Sequence, residues 1–228
     1  MIYSNQYTLL AELFRYPDKD ANDKVKECQS MLDARYPEAG EILKKFTEYF
    51  LAMDEDKKEE LFTKTFDVQP ICYLDLGYLI FGEDYKRGTF LLHMKEEQRK
   101  IGRDCSPELP DHLYHVLHLM TLHPDAKFVD ELAAKIVIPG VEMLIKEFNS
   151  ARVELKIQVL KKLHNAVIQE ELNIGNVYQF AFKALLNVLE HDYAIALSHY
   201  NPVVEDSNKE SFFSKNTVSQ LVNNHKNV

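Results

Sequence analysis

The chain has 228 residues, 46% of them hydrophobic, and a formal net charge of −9. That length and apolar content suit one buried core, and the acidic balance leaves no basic stripe for a phosphate backbone, which argues against nucleic acid and for a basic peptide or basic protein surface as partner. Seven Gly and eight Pro are too few for the regularly spaced turns of an all-β domain.

The first residues, "MIYSNQYTLLAELF", lack the basic region and long apolar run of a signal peptide. No apolar run approaches the ~18 residues of a membrane span. Cys28, Cys72 and Cys105 are odd in number and contain no CxxC, so reduced thiols in a cytoplasmic protein are the expectation.

Tyr7, Leu10, Ala11 and Phe14 fall at i, i+3, i+4 and i+7 and predict a first helix, with Ser4 as its N-cap and Pro17 as its stop. Further helices are expected over residues 20–35 and 37–52. "MDEDKKEELFTKTF" then opens with acids and carries its bases later, the order a helix dipole favours. The least polar stretch is "VQPICYLDLGYLIFG", Val68 to Gly82, where Pro70 breaks helical continuity and residues 73–81 are expected to form a short buried helix. In the next segment Leu91, Met94, Gln98 and Ile101 recur at near-helical spacing. Gly88 within it costs about 1 kcal/mol against Ala, so close packing is the expected reason for it.

"SPELPDHLYHVLHLM", Ser106 to Met120, reads as a helix start, with Leu109 as N-cap, Pro110 at the first helical position and Asp111 in the first turn. Leu113, Val116, Leu117 and Met120 form its apolar face, and His115 and His118 are expected to rotate away from it. Stripes over Val129, Leu132, Ala133 and Ile136 and over Val141, Leu144, Ile145 and Phe148 flank Pro139-Gly140, giving one kinked helix or two. Ile157, Leu160, Leu163 and Val167 mark another helix, and Val177, Phe180, Ala181, Ala184, Leu185 and Val188 the cleanest. No segment alternates like a strand. The expected fold is therefore an all-α, single-domain bundle of roughly eight to ten helices over residues 1–200. Residues 201–228 form a polar, aperiodic tail whose Phe212-Phe213 pair is its one apolar docking element.

Catalytic motifs are missing from the sequence: there is no GxSxG, GxGxxG or P-loop, and Cys72 reads as a small core residue. His112, His115, His118 and His123 invite a metal, yet no HExxH or ExxH occurs. A metal-binding bundle enzyme or sensor using His112, His115 and His118 is one alternative, and a generic α-helical adaptor is another. The aromatic run Tyr73–Phe81 suits either core packing or a groove for an amphipathic peptide. The acids Asp54, Glu55, Asp56, Glu59 and Glu60 read as a solvated helix start able to attract a basic peptide.

Four stretches resemble the NarJ/TorD/DmsD family of molybdoenzyme assembly chaperones, most nearly its NarJ-like nitrate reductase delta-subunit type. They are "LLAELFRYPD" from Leu9, "TFDVQPICYLDLGYLIFGEDYKRGTFLLHMKEEQRKIG" from Thr65, "ELPDHL" from Glu108, and "AKIVIPGVEMLIKEF" from Ala134. Two departures stand beside them: Gln98 replaces an aromatic residue of the family pattern, and "YHVLHLM" follows "ELPDHL" where the family is more acidic or aliphatic. The resemblance implies an all-α, non-enzymatic cytoplasmic protein with no cofactor of its own, a monomer or weak homodimer. It implies binding of the N-terminal segment and apo form of a molybdoenzyme catalytic subunit, in the first instance respiratory nitrate reductase, during molybdenum-cofactor insertion. By the same resemblance, Glu108, Pro110, Asp111 and His112 lie near the client-peptide surface. Phe66, Asp67, Tyr73 and Tyr78 line it, and Arg87 belongs to the same block with Gly82 and Gly88. Asp111 would then pair with a peptide Lys or Arg, and His112 would titrate near neutral pH.

Overall fold

Residues 5–68, 70–149 and 176–200 are described by a computed structural model of the chain. The expected Ser4 cap, the Ile157–Val167 stripe and the tail from residue 201 lie outside them. Among the described residues there is no strand, and the architecture is an all-α, multi-helix single domain.

Local chemistry explains most boundaries. The helix α1 (Gln6–Glu12) ends ahead of Pro17, and α2 (Ala21–Arg35) is separated by one residue from α3 (Pro37–Ala52), which begins on a proline. In α4 (Glu55–Phe66) the Asp54 side chain caps by accepting from the Lys57 amide at 2.9 Å. Then come α5 (Leu76–Phe81), α6 (Tyr85–Lys100) and α7 (Leu113–Leu122), with α6 capped by Asp84 accepting from the Lys86 amide. Asp125 caps α8 (Ala126–Leu132), which runs through a π-helical turn, Ala133–Val137, into α9 (Ile138–Asn149). The last described helices are α10 (Tyr178–Asp192) and α11 (Ala194–His199).

The π-turn resolves the question posed by Pro139. A proline in an α-helix lacks the donor for the carbonyl four residues back, and its ring crowds that carbonyl. Here the Ile138 amide reaches instead to the Ala133 carbonyl, five residues back, so the helix opens just ahead of the proline and continues. The rod is one helix with a local widening rather than two.

The core is aromatic and centres on α10. Phe14 stacks on Phe182 at 4.7 Å, and the fully buried Tyr178 is ringed by Phe46, Phe62 and Phe66. Fully burying one such side chain contributes about 1.5–3 kcal/mol. At the end of α10 the Asp192 carboxylate accepts from Gln6 Nε2 at 2.8 Å, Tyr7 Oη at 2.8 Å and Tyr36 Oη at 2.9 Å, tying α1 and the α2–α3 corner to α10.

Three sequence expectations change here. First, His115 and His118 are buried, because α7 is enclosed nearly all round rather than on one face. Second, Gly88 has open space where a Cβ would stand, so close packing is not its reason. Third, α6 turns Phe90, His93, Met94, Glu97 and Gln98 inward, while Leu91 is only half-buried. Polar partners make that face possible: Glu97 accepts from Lys100 at 2.7 Å and pairs with His123 at 3.0 Å.

Candidate functional site

Two of the resembling stretches meet in space. Leading into α5, the chain runs beside "ELPDHL" and forms an isolated antiparallel bridge, Asp75 opposite His112. The Leu76 amide donates to the Asp111 carbonyl at 3.1 Å, and the Leu113 amide to the Leu74 carbonyl at 2.9 Å. Asp111 Oδ2 then accepts from the Gly77 amide at 2.8 Å. A Cβ at Gly77 would lie 2.6 Å from that oxygen and 2.8 Å from the Phe90 ring, so only glycine admits the carboxylate this closely. Gln98 completes the joint by donating to the Pro110 carbonyl at 3.4 Å and to the His115 carbonyl at 3.0 Å. The glutamine that departs from the family pattern is therefore a strut between α6 and the "ELPDHL" turn.

This geometry corrects the expected helix start. The N-cap of α7 is His112, not Leu109, and Pro110 and Asp111 precede the helix. Asp111 satisfies an amide in the first turn of α5 instead of sitting in the first turn of its own helix. It is fully buried, so it cannot meet a client side chain directly. Phe66 likewise packs into the core against Phe62, Tyr178 and Phe182 rather than lining a surface.

Outside this joint lies an exposed strip. Tyr73 is 46% exposed and meets Tyr78 edge-on at 5.4 Å, and the Arg87 guanidinium lies over the Tyr78 ring at 5.2 Å. Leu109 is 40% and Val68 64% exposed. Asp67 and Glu108 are exposed, and Asp75 is half-buried.

The acids feel one another. Burial raises the Glu108 carboxyl above its ordinary range, and the charges of Asp75 and Asp67 add to this. Burial also raises Asp75, while Arg87 works in the opposite direction. Asp111 is raised to about 6 by burial and then by Asp75, with the Gly77 amide and Arg87 opposing. One guanidinium thus faces four carboxylates. The strip combines apolar and aromatic area with an excess of negative potential, which suits a peptide carrying both a cation and apolar side chains.

His112 does not titrate near neutral pH. Burial, and then the neighbouring His115, lower it to about 4. His115 is also lowered to about 4, by burial first and then by Arg103 and His118. The histidines do not converge: the His112 and His115 rings are 6.1 Å apart, His118 faces Glu12 at 3.7 Å, and His123 faces Glu97. Among the described residues no group of three or more His, Cys, Asp or Glu side chains could hold one metal ion. No described helix is long and apolar enough to cross a membrane.

The structure thus gathers Asp67, Tyr73, Tyr78, Arg87 and Glu108 around one strip and places Pro110, Asp111 and His112 beneath it. Asp75, Leu109 and Val68 belong to the strip and were not singled out from the sequence. Asp75 and Leu109 stand inside the quoted "CYLDLG" and "ELPDHL", so adjacency to those motifs was the available signal. No protein-family model matches the chain, and no curated protein matches it.

Proposed function

We propose that this chain is a chaperone that holds the N-terminal segment of a molybdoenzyme catalytic subunit, of the respiratory nitrate reductase type, while its molybdenum cofactor is inserted. The observation that carries the reading is the joint between the two resembling stretches. "ELPDHL" and the Thr65–Gly102 block are far apart in sequence, yet Asp111 and Gly77 bond at 2.8 Å and the exposed residues of both blocks border one strip. Tyr73, Tyr78 and Leu109 offer apolar area to one face of a peptide helix. Asp67, Asp75 and Glu108 offer the charge a basic N-terminus needs, and the net charge of −9 speeds encounter with it. Asp111 acts from below, as a positioning residue that holds α5 against the turn.

Titration of a nitrate reductase-type N-terminal peptide against the purified chain tests this. Saturable binding is expected, weakened about tenfold or more by Glu108→Lys or Tyr73→Ser. Absence of binding to any molybdoenzyme N-terminal peptide sinks the reading.

A further inference from the structure

We propose that the strip is regulated by the chain itself: residues 209–215, "KESFFSK", dock on it in cis and compete with an incoming peptide. This rests on the reading of the strip as a peptide-binding surface.

Three observations point to this occupant. The first is where the described chain leaves off. Tyr200 lies against the π-turn, with Lys135 Nζ over its ring at 5.4 Å, and both α11 and α5 pack against that same Ala133–Val137 turn. Phe212 follows Tyr200 by a dozen residues, enough to span up to about 40 Å when extended, several times the ~10 Å diameter of the helix between them. The second is charge. Lys209 and Lys215 flank Phe212-Phe213, and the strip carries Asp67, Asp75 and Glu108 beside Tyr73 and Leu109. Two cations around two aromatic residues match an apolar strip bordered by acids. The third is an unmet demand at the base of the strip. Asp111 Oδ1 is fully buried and has no hydrogen-bond partner, in the field of Asp75 and Arg87.

Tethering makes a weak contact effective. A short linker holds its segment at an effective concentration near the millimolar range. A tail that binds in trans with a Kd of roughly 100 μM would then lower the apparent affinity of a competitor about tenfold.

The experiment uses the full chain and a fluorescent synthetic peptide of residues 205–219, read by anisotropy. A full chain carrying Phe212→Ser and Phe213→Ser is expected to bind this peptide about tenfold more tightly than the unmodified chain, because its own tail no longer competes. Lys209→Glu with Lys215→Glu should give a gain in the same direction, and adding Glu108→Lys should abolish the binding. Melting curves confirm that each variant keeps its fold. Equal affinity for unmodified and tail-substituted chains overturns the proposal, as does binding indifferent to Glu108→Lys. A nitrate reductase-type N-terminal peptide is titrated in parallel. If the tail peptide behaves as expected and that peptide does not bind, cis docking stands and the chaperone reading falls.

Discussion

Asp111 accepts the Gly77 amide at 2.8 Å across thirty-four residues of chain, and both groups are buried. Replacing Asp111 by Ala strands that amide, at a cost of about 1–3 kcal/mol. In a domain of this size the melting temperature should fall by roughly 2–12 °C, as circular dichroism would show. Asp111→Asn keeps the acceptor, so its melting temperature at pH 7.5 should equal or exceed that of the unmodified chain.

The same pair has a pH signature. Asp111 is raised from 3.8 to about 6 in the folded state, so its contribution is fully present below pH 3.8 and is lost as pH rises through 6. Stability curves of the unmodified chain and of Asp111→Asn should diverge across pH 4–6, with the asparagine variant gaining relative stability as pH rises. Parallel curves would show that Asp111 is not the titrating group.

His112 and His115 work in the opposite sense. Both are lowered from 6.5 to about 4, so their contribution is present above pH 6.5 and is lost as pH falls through 4. His112→Gln with His115→Gln should flatten the acid limb of the melting profile between those values. An acid limb unchanged by the double substitution would assign it to carboxylates elsewhere.

Gly77 and Gly88 make a matched pair. Gly77→Ala pushes a methyl group into Asp111 and Phe90 and should cost about 1–3 kcal/mol. Gly88→Ala meets open space within α6 and should gain about 0.5–1 kcal/mol from helix propensity. Urea unfolding of the two variants should therefore shift in opposite directions.

Asp192 gathers three donors from residues 6, 7 and 36. Burial and the Asp192 contact push the Tyr36 hydroxyl up to about 12, so all of these donors remain protonated at neutral pH. Asp192→Ala should cost about 2–4 kcal/mol, more than any exposed carboxylate, because hydrogen bonds to a charged acceptor are each worth about 1.5–3 kcal/mol. Thermal melts against Asp23→Ala, a solvent-facing control, would check this.

Periodicity read the large helices well, since α2, α3 and α10 bury clear stripes and begin at prolines, acids or loops that the sequence displays. It misplaced α7, because a proline before a helix marks where a helix is permitted to begin, and here the Asp75–His112 bridge holds the backbone extended for three further residues. His115 and His118 were read as outward because an amphipathic template was applied to a helix that is enclosed on most sides. Gln98 looked like an anomaly, since its purpose is to serve two carbonyls of another segment, and long-range acceptors leave no trace in local spacing. The strip was half legible: its tyrosines and Glu108 stand in quoted motifs, while Asp75 and Val68 join it only through the turn of the chain.

The π-turn at Ala133–Val137 is also a phase shifter. The apolar stripe ends at Ile136 and resumes at Val141, five positions on, where an unbroken helix would place its next inward residue three or four on. One surplus residue in the wide turn absorbs the mismatch, so α9 keeps Val141 and Leu144 inward while α8 keeps Val129 and Leu132 inward. Deleting a single residue there would remove the surplus and rotate everything after it by about 100°. Val141 and Leu144 would swing off the core and Glu142 toward it. The wide turn thus sets the angular register of the rod, and the length of this segment is constrained more tightly than its composition.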